Sequence, residues 1–222
     1  MNLPAHIFSR DVLWLGNVIY FVWLGRAIWR ADWRELWHCG TRFNALIALS
    51  LGIFAFWQLS AGIRPGFSFH LIGSTLFVLM FGWRIAAATL TLIMLVTWLR
   101  TGADFVSLGL NGLTMILVPV VVTEALLRFS KANLPKNLFM FVLLNGFFCG
   151  GAAIALNVMV TTVLFLLFTG YTWPMLQYYY LVASPILAFA EAFATGVMIT
   201  AFVVAQPDAV KNFSVEEYLD GK

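Results

Sequence analysis

Long apolar runs recur along this chain and leave little room for any fold outside a membrane. Only 10% of the 222 residues are charged, against about 25% in a soluble domain. A helix crosses a bilayer with about 20 apolar residues, whereas barrel strands show short alternating segments. The runs are long and continuous, so they predict an all-α polytopic transmembrane bundle in which residues 1–222 form a single integral membrane domain.

The apolar runs predict about seven spans, at approximately 12–29, 43–59, 70–82, 84–99, 111–127, 138–168 and 181–205. The stretch 71–99 has two interpretations, a single tilted helix or two short helices that turn at Gly82. A single helix would place Arg84 near the bilayer centre, at a cost of about 2.5–3.5 kcal/mol. We therefore favour the two-helix interpretation.

The distribution of basic residues predicts the orientation of the seven spans. With the N-terminus outside, residues 1–11 form an outer arm and residues 206–222 a cytoplasmic tail. The inner face then receives ten of the 13 Lys and Arg residues, and the outer face receives only Arg10, Arg64 and Arg100. Cytoplasmic loops carry an excess of basic residues. We therefore expect a multi-pass protein of a bacterial inner (cell) membrane with its N-terminus outside.

Two of the three histidines, His6 and His70, fall on the outer side in this topology. A neutral imidazole is a natural ligand for a transition metal, although His70 could instead cap a helix or bond a carbonyl. His38 and Cys39 fall at the inner interface, where we interpret them as loop residues rather than a metal site.

Several polar residues lie within the predicted spans and are candidates for helix contacts or function. Glu124 is expected to pair with Arg128 four residues later. Glu191 lies deeper and could bond a neighbouring helix. Asn111 opens a span near His70, and the two other amides are expected to link helices. These are Asn145 and Asn157.

No catalytic or nucleotide-binding motif appears in the sequence. It has no GxSxG, HExxH or phosphate-binding loop, so any ATP-driven work must come from a partner. Cys39 and Cys149 lack metal or disulfide spacing, and nothing indicates nucleic acid. We therefore expect no enzyme and no resident cofactor, with the lipid bilayer as the surroundings.

Three segments of the chain match motifs of a known family. FSFHLIGSTLFVLMFGW (67–83) resembles a T-S-x-H-L-L-G-A helix followed by an L-L-G-P-W turn. LGLNGLTMILV (108–118) resembles an L-G-x-N-x-x-N-M stretch, and EAFATGVMITAFVVAQPDAV (191–210) resembles a G-E-A-x-x-T…R-P-D-L ending. With these motifs the chain resembles, over nearly its whole length, the CbiM/NikM family, the substrate-capture (S) components of energy-coupling-factor ABC transporters for cobalt and nickel.

The resemblance implies a metal site made by the N-terminal amine, the second backbone nitrogen, a second-position His and a loop His. Met1 would supply the amine and His70 the loop imidazole. The family begins M-H-I-P-D-G, whereas this chain begins Met1-Asn2-Leu3-Pro4-Ala5-His6. Asn2 could close the same chelate ring through its amide oxygen, a weaker donor than imidazole for Ni or Co. His6 could reach the metal only if the arm folds back at Pro4.

Two functions from different classes follow. In the first, the protein captures Ni²⁺ or Co²⁺, with Cu²⁺ as a further candidate, as a substrate at the outer face. It would work with a transmembrane coupling subunit and cytoplasmic ATPase subunits. In the second, it is a membrane scaffold or accessory protein that kept the fold and lost the metal site. A third possibility, an intramembrane enzyme, is not supported, because the sequence contains no set of residues typical of a catalytic site.

Overall fold

The computed structural model describes residues 3–58, 61–62 and 68–218, and nearly all of them are helical. The first half contains α1 (Arg10–Trp29), α2 (Trp33–His38), α3 (Gly40–Gln58), α4 (Ser74–Phe81) and α5 (Trp83–Thr101). The second half contains α6 (Phe105–Asn133), α7 (Leu138–Phe168), α8 (Trp173–Tyr179), α9 (Ser184–Ala205) and α10 (Val215–Tyr218). Two-residue strands, β1 (Ala61–Gly62) and β2 (Ser68–Phe69), pair antiparallel between α3 and α4.

Six helical stretches in the described residues are long and apolar enough to cross a membrane: α1, α3, α5, α6, α7 and the stretch Trp173–Ala205 that contains α8 and α9. The remaining predicted span is α4, which has eight residues and rises only about 12 Å. The all-α polytopic prediction is confirmed, with six long helices and one short helix. The Pro65-Gly66 break lies outside the described residues.

The chain turns at Gly82, as the two-helix interpretation of 71–99 predicts. Gly82 has φ 79° and separates α4 from α5. Few side chains tolerate that backbone conformation, so glycine allows the helix to end and a new one to begin at once. Arg84 therefore lies in the first turn of α5, with its guanidinium 5.1 Å from the Trp83 ring centroid.

Several helix boundaries differ from those that the apolar runs predict. The stretch between the predicted spans 111–127 and 138–168 is helical up to Asn133. The stretch between the predicted spans 12–29 and 43–59 contains α2, and the span expected from residue 111 begins at Phe105. Polar residues near the ends of a helix satisfy backbone groups there, so the helices extend beyond their apolar segments.

Small residues bring two pairs of helices close together. A Cβ added at Gly109 of α6 would lie 2.3 Å from the Asn17 Cα of α1, and one added at Gly150 of α7 would lie 3.3 Å from the Ala192 Cα of α9. The Gly146/Gly150 spacing therefore serves internal packing. Gly52 differs, because a Cβ added there would meet no atom within 4 Å, and Ala48 is exposed beside it.

The short helix α4 is the buried centre of the bundle. All eight of its residues are buried. At its C-terminal end the strap Lys211–Asn212 binds its last carbonyl groups. The Lys211 amide donates to the Met80 carbonyl (2.9 Å) and the Asn212 amide to the Leu79 carbonyl (3.2 Å). The Asn212 side-chain nitrogen donates to the Val78 carbonyl at 2.9 Å.

A polar network surrounds this strap. Glu35 of α2 pairs with both Lys211 and Arg42, and Lys131 of α6 donates to the Asn212 side chain at 2.9 Å. The hydrogen bond from Lys211 lowers the pKa of Glu35. The network thus contains three of the ten basic residues that the predicted topology assigns to one face of the membrane. Which side of the membrane this face occupies stays a prediction.

Candidate metal site

His70 lies between β2 and α4, packed against the last turn of α3. Its side chain is buried, and its ring centroid lies 5.2 Å from that of Trp57. Three residues later, Gly73 packs so closely on α3 that an added Cβ would lie 2.4 Å from the Ile53 Cδ1. Ile53 and Trp57 are one helical turn apart, so the 70–73 loop lies along one face of α3.

The hydrogen bonding of the buried His70 ring suits a metal ligand. The Nδ1 of His70 lies 3.2 Å from the Leu71 carbonyl oxygen. A carbonyl can only accept a hydrogen bond, so this contact places the proton on Nδ1 and the lone pair on Nε2. A metal-binding histidine commonly donates its other ring N–H to a backbone carbonyl in this way.

Glu191 of α9 holds the other side of the loop. Its Oε2 accepts from the Ile72 amide at 2.8 Å and its Oε1 from the Gly73 amide at 2.6 Å. Glu191 is 2% exposed, so both oxygens are used within the protein. The sequence predicted a bond to a neighbouring helix. The carboxylate instead bonds the backbone immediately before α4, and so it supports the segment that carries His70.

Asn111 of α6 binds the N-terminal arm. Its Oδ1 accepts from the Leu3 amide at 2.7 Å, and its Nδ2 donates to the Leu3 carbonyl at 2.9 Å. A further bond to the Ser107 carbonyl, 2.9 Å long, fixes the amide on its own helix. Leu3 is fully buried. The arm is therefore anchored to the bundle at its third residue.

The other predicted ligands are placed as follows. Met1 and Asn2 lie outside the described residues. His6 is exposed in a short 3₁₀ turn, Ala5–Ile7. It lines a cleft of about 470 Å³ together with Arg10 and Asp104. The described neighbours of His6 differ from those of His70, and metal binding by His6 stays a prediction.

Two further expectations can be compared with the structure. His38 is exposed at the end of α2, with its Nδ1 2.7 Å from the Arg34 carbonyl oxygen. Glu124 pairs with Arg128 at 2.7 Å, which confirms that prediction. Within the parts of the chain that the structure covers, no three His, Cys, Asp or Glu side chains form a metal site.

The two other intramembrane amides were expected to link helices, and this expectation stays a prediction. Asn157 accepts from Thr161 of its own helix at 3.3 Å. Asn145 is buried, and its Nδ2 has no hydrogen-bond partner in the described part of the chain. Both belong to α7.

Sequence reasoning missed three residues of this region. Trp57 lies within a predicted span, but its contact with His70 was not predicted. The only sequence signal of the left-handed conformation of Gly73, with φ 75°, is a glycine that precedes a helix. Asn17 was overlooked although an amide within an apolar run is a signal in itself. Its side chain donates to the Val106 carbonyl and accepts from the Gly109 amide, which joins α1 to α6 at the end where the arm is anchored.

Comparison with known proteins decides the family. A model of CbiM, described as the cobalt uptake substrate-specific transmembrane region, matches residues 2–209. The chain belongs to the CbiM family. It is therefore a component of a metal-uptake transporter rather than a member of an enzyme family, and the prediction of a multi-pass membrane protein is confirmed.

Solved structures share the fold of this chain. One, described as a truncated transition metal transporter, has a TM-score of 0.71 and 19% identity, and the match covers 92% of this chain and 99% of that one. Another, described as a transition metal transporter, has a TM-score of 0.71 and 20% identity over 91% of this chain and 92% of that one. No curated protein sequence matches the chain.

Proposed function

We propose that this CbiM-family protein is the substrate-capture (S) component of an energy-coupling-factor transporter and binds a divalent transition metal, Ni²⁺ or Co²⁺, as its substrate. The observation that carries the proposal is the buried His70 in a loop held from two sides. Nitrogen donors suit these metals, and Cu²⁺ as well. No group of three or more His, Cys, Asp or Glu side chains in the described residues could hold a metal, and the family resemblance implies that the remaining donors come from the N-terminus.

The N-terminal arm is the proposed source of those donors. Because Leu3 is anchored by Asn111, the two residues before it can reach no further than about 7 Å. The Met1 amine, the Asn2 backbone nitrogen and the Asn2 amide oxygen would then complete the site. His6 would replace the missing second-position imidazole only if the exposed 3₁₀ turn rearranged.

Calorimetry on the protein with its authentic N-terminus tests this proposal. We expect Ni²⁺, Co²⁺ or Cu²⁺ to bind, and one added N-terminal residue to abolish binding because it displaces the amine. Asn2→His should strengthen binding, since imidazole is the better donor. His6→Ala should leave affinity unchanged, and a large loss would instead make His6 a ligand. If none of the three metals binds, the scaffold function replaces transport.

The proposed orientation has the 1–11 arm outside and the 206–222 tail in the cytoplasm. Its support is the ten-to-three distribution of basic residues. Reporter fusions after Lys136 and after Lys222 should both report a cytoplasmic location. An external signal from either fusion would contradict the outer-face site.

The proposed partners are a transmembrane coupling subunit and cytoplasmic ATPase subunits. The Ala48/Gly52 face of α3 is exposed and open, and small residues permit a close approach of a partner helix. Replacing both by Leu should weaken co-purification with the coupling subunit and leave metal affinity unchanged. The matched control is Gly150→Leu, which should instead destabilise the α7–α9 contact. Unchanged co-purification of the Ala48/Gly52 variant would exclude this face as the docking surface.

A further inference from the structure

We propose that Glu191 is a positioning residue of the metal site, because it fixes the loop that carries His70 through the backbone amides of Ile72 and Gly73. The inference rests on the proposed function, since it concerns the same histidine. Glu191 itself lies seven residues, about two helical turns, inside α9 and acts through the loop rather than as a ligand.

The contact uses both oxygens of the carboxylate. The two bonds, 2.8 and 2.6 Å long, come from two consecutive amides. Consecutive amides point in a common direction when one residue adopts a left-handed conformation, and Gly73 does so with φ 75°. The loop therefore presents a small concave surface of two N–H groups, and a carboxylate fills it.

Only a carboxylate satisfies both amides at once. A glutamine has one oxygen acceptor, and its NH₂ group can only donate. Glu191→Gln would leave either the Ile72 or the Gly73 amide facing another donor. Both amides are enclosed, because Ile72 is fully buried and Glu191 is 2% exposed. Water therefore cannot readily replace the missing acceptor, and the loop must move.

Movement of this loop would displace His70 directly. Only Leu71 separates His70 from Ile72, and the same short segment forms the carbonyl contact of the imidazole at Leu71. Partners that orient a metal ligand typically contribute 10–100-fold to metal affinity. Glu191 is thus expected to set the direction of the His70 Nε2 lone pair without touching the metal.

The test compares Ni²⁺ or Cu²⁺ affinity and the ligand-field absorption band among four proteins: wild type, Glu191→Gln, Glu191→Asp and the control Glu124→Gln. Glu124 is another carboxylate within a span, and it pairs with Arg128 of its own helix. We expect at least a tenfold loss of affinity and a shifted band for Glu191→Gln, with wild-type behaviour for Glu124→Gln. Glu191→Asp keeps the charge, but its side chain is one methylene shorter, so its oxygens lie further from the two amides. Its metal affinity should therefore lie between those of wild type and Glu191→Gln.

Each other outcome would overturn the inference. Unchanged affinity and band position in Glu191→Gln would mean that the loop needs no anchor. Wild-type affinity in Glu191→Asp would mean that charge, rather than position, matters. If neither variant of Glu191 folds, as judged by gel filtration in detergent, the residue belongs to the fold and not to the site. If the wild type binds no metal, the proposed function itself is contradicted. If the wild type binds metal and Glu191→Gln binds it equally well, only the role of Glu191 is contradicted.

Discussion

The two ends of α4 are both bound by segments from elsewhere in the chain, but by different chemistry. At the Ser74 end, one carboxylate accepts from two amides before the helix. At the Phe81 end, two amides and one side chain of the strap donate to three carbonyls. At the first end the two amides depend on one buried carboxylate, whereas at the second end three separate donors bond the three carbonyls.

This difference indicates which end serves the metal and which serves the fold. A single buried anchor next to His70 transmits any change to the imidazole. Several parallel bonds at the other end tolerate the loss of one member, since each contributes about 0.5–1.5 kcal/mol. Changes near Gly73 should therefore be large and alter metal binding, and changes near Asn212 should be small and affect stability alone.

The largest expected effect is that of Gly73→Ala. The new Cβ would lie 2.4 Å from the Ile53 Cδ1, in a backbone conformation with φ 75°. Strain and overpacking together should cost about 2–5 kcal/mol, measured as a fall of the thermal midpoint in detergent. Gly102→Ala is the matched control, because Gly102 has φ 65° with no atom within 4 Å. Equal losses in the two variants would show that packing on α3 is unimportant.

Asn111→Ala should have the next largest effect. It removes both bonds that hold Leu3, so the arm loses its anchor and metal affinity should fall at least tenfold, as for other residues that orient ligands. Isothermal titration measures the affinity. The control Asn133→Ala removes an amide that bonds only the exposed Phe129 carbonyl of its own helix. An Asn111→Ala protein with wild-type affinity would argue against the arm as a ligand.

Asn212→Ala should have a smaller effect of a different kind. It deletes the bond to the Val78 carbonyl and the one from Lys131, while the two backbone bonds of the strap remain. We expect a loss of stability of about 1 kcal/mol and unchanged metal affinity, measured by thermal unfolding and titration. A tenfold loss of affinity would show that the two ends of α4 are not separate in function.

The smallest effect concerns pH at the strap. Lys211 lowers the pKa of Glu35, so the ionised pair stabilises the fold above the unfolded pKa of about 4.3. This contribution is lost as the pH falls through the lower folded value. Because Glu35 is 40% exposed, the contribution should stay below about 1 kcal/mol. Wild type and Glu35→Gln should therefore differ in thermal midpoint at pH 7 and converge once the pH falls below the lowered pKa of Glu35, and a constant difference would exclude the ion pair as its cause.

The sequence predicted the architecture better than the site. Apolar run length predicts helices without tertiary information, and the charge of Arg84 identified the turn at Gly82. The Glu124–Arg128 pair followed from four-residue spacing alone. Each of these features depends on residues that are close in sequence.

The arrangement around His70 depends on residues that are far apart in sequence. Glu191 and Ile72 are 119 positions apart, and Asn111 and Leu3 are 108 positions apart. An isolated buried carboxylate or amide indicates that a partner exists, but it does not identify that partner. Backbone amides, which carry no side-chain signal, are the partners in both cases.

The most direct test of the account locates the metal itself. Crystals of the protein with its authentic N-terminus, grown with Ni²⁺, would show the ion by anomalous scattering at the nickel absorption edge. The account predicts one strong peak about 2.1 Å from the Nε2 of His70, lost in His70→Ala and retained in His38→Ala. A peak bound instead by His38 and Cys39 or by His6 alone, or a His70 ring that contacts the ion through Nδ1, would contradict it.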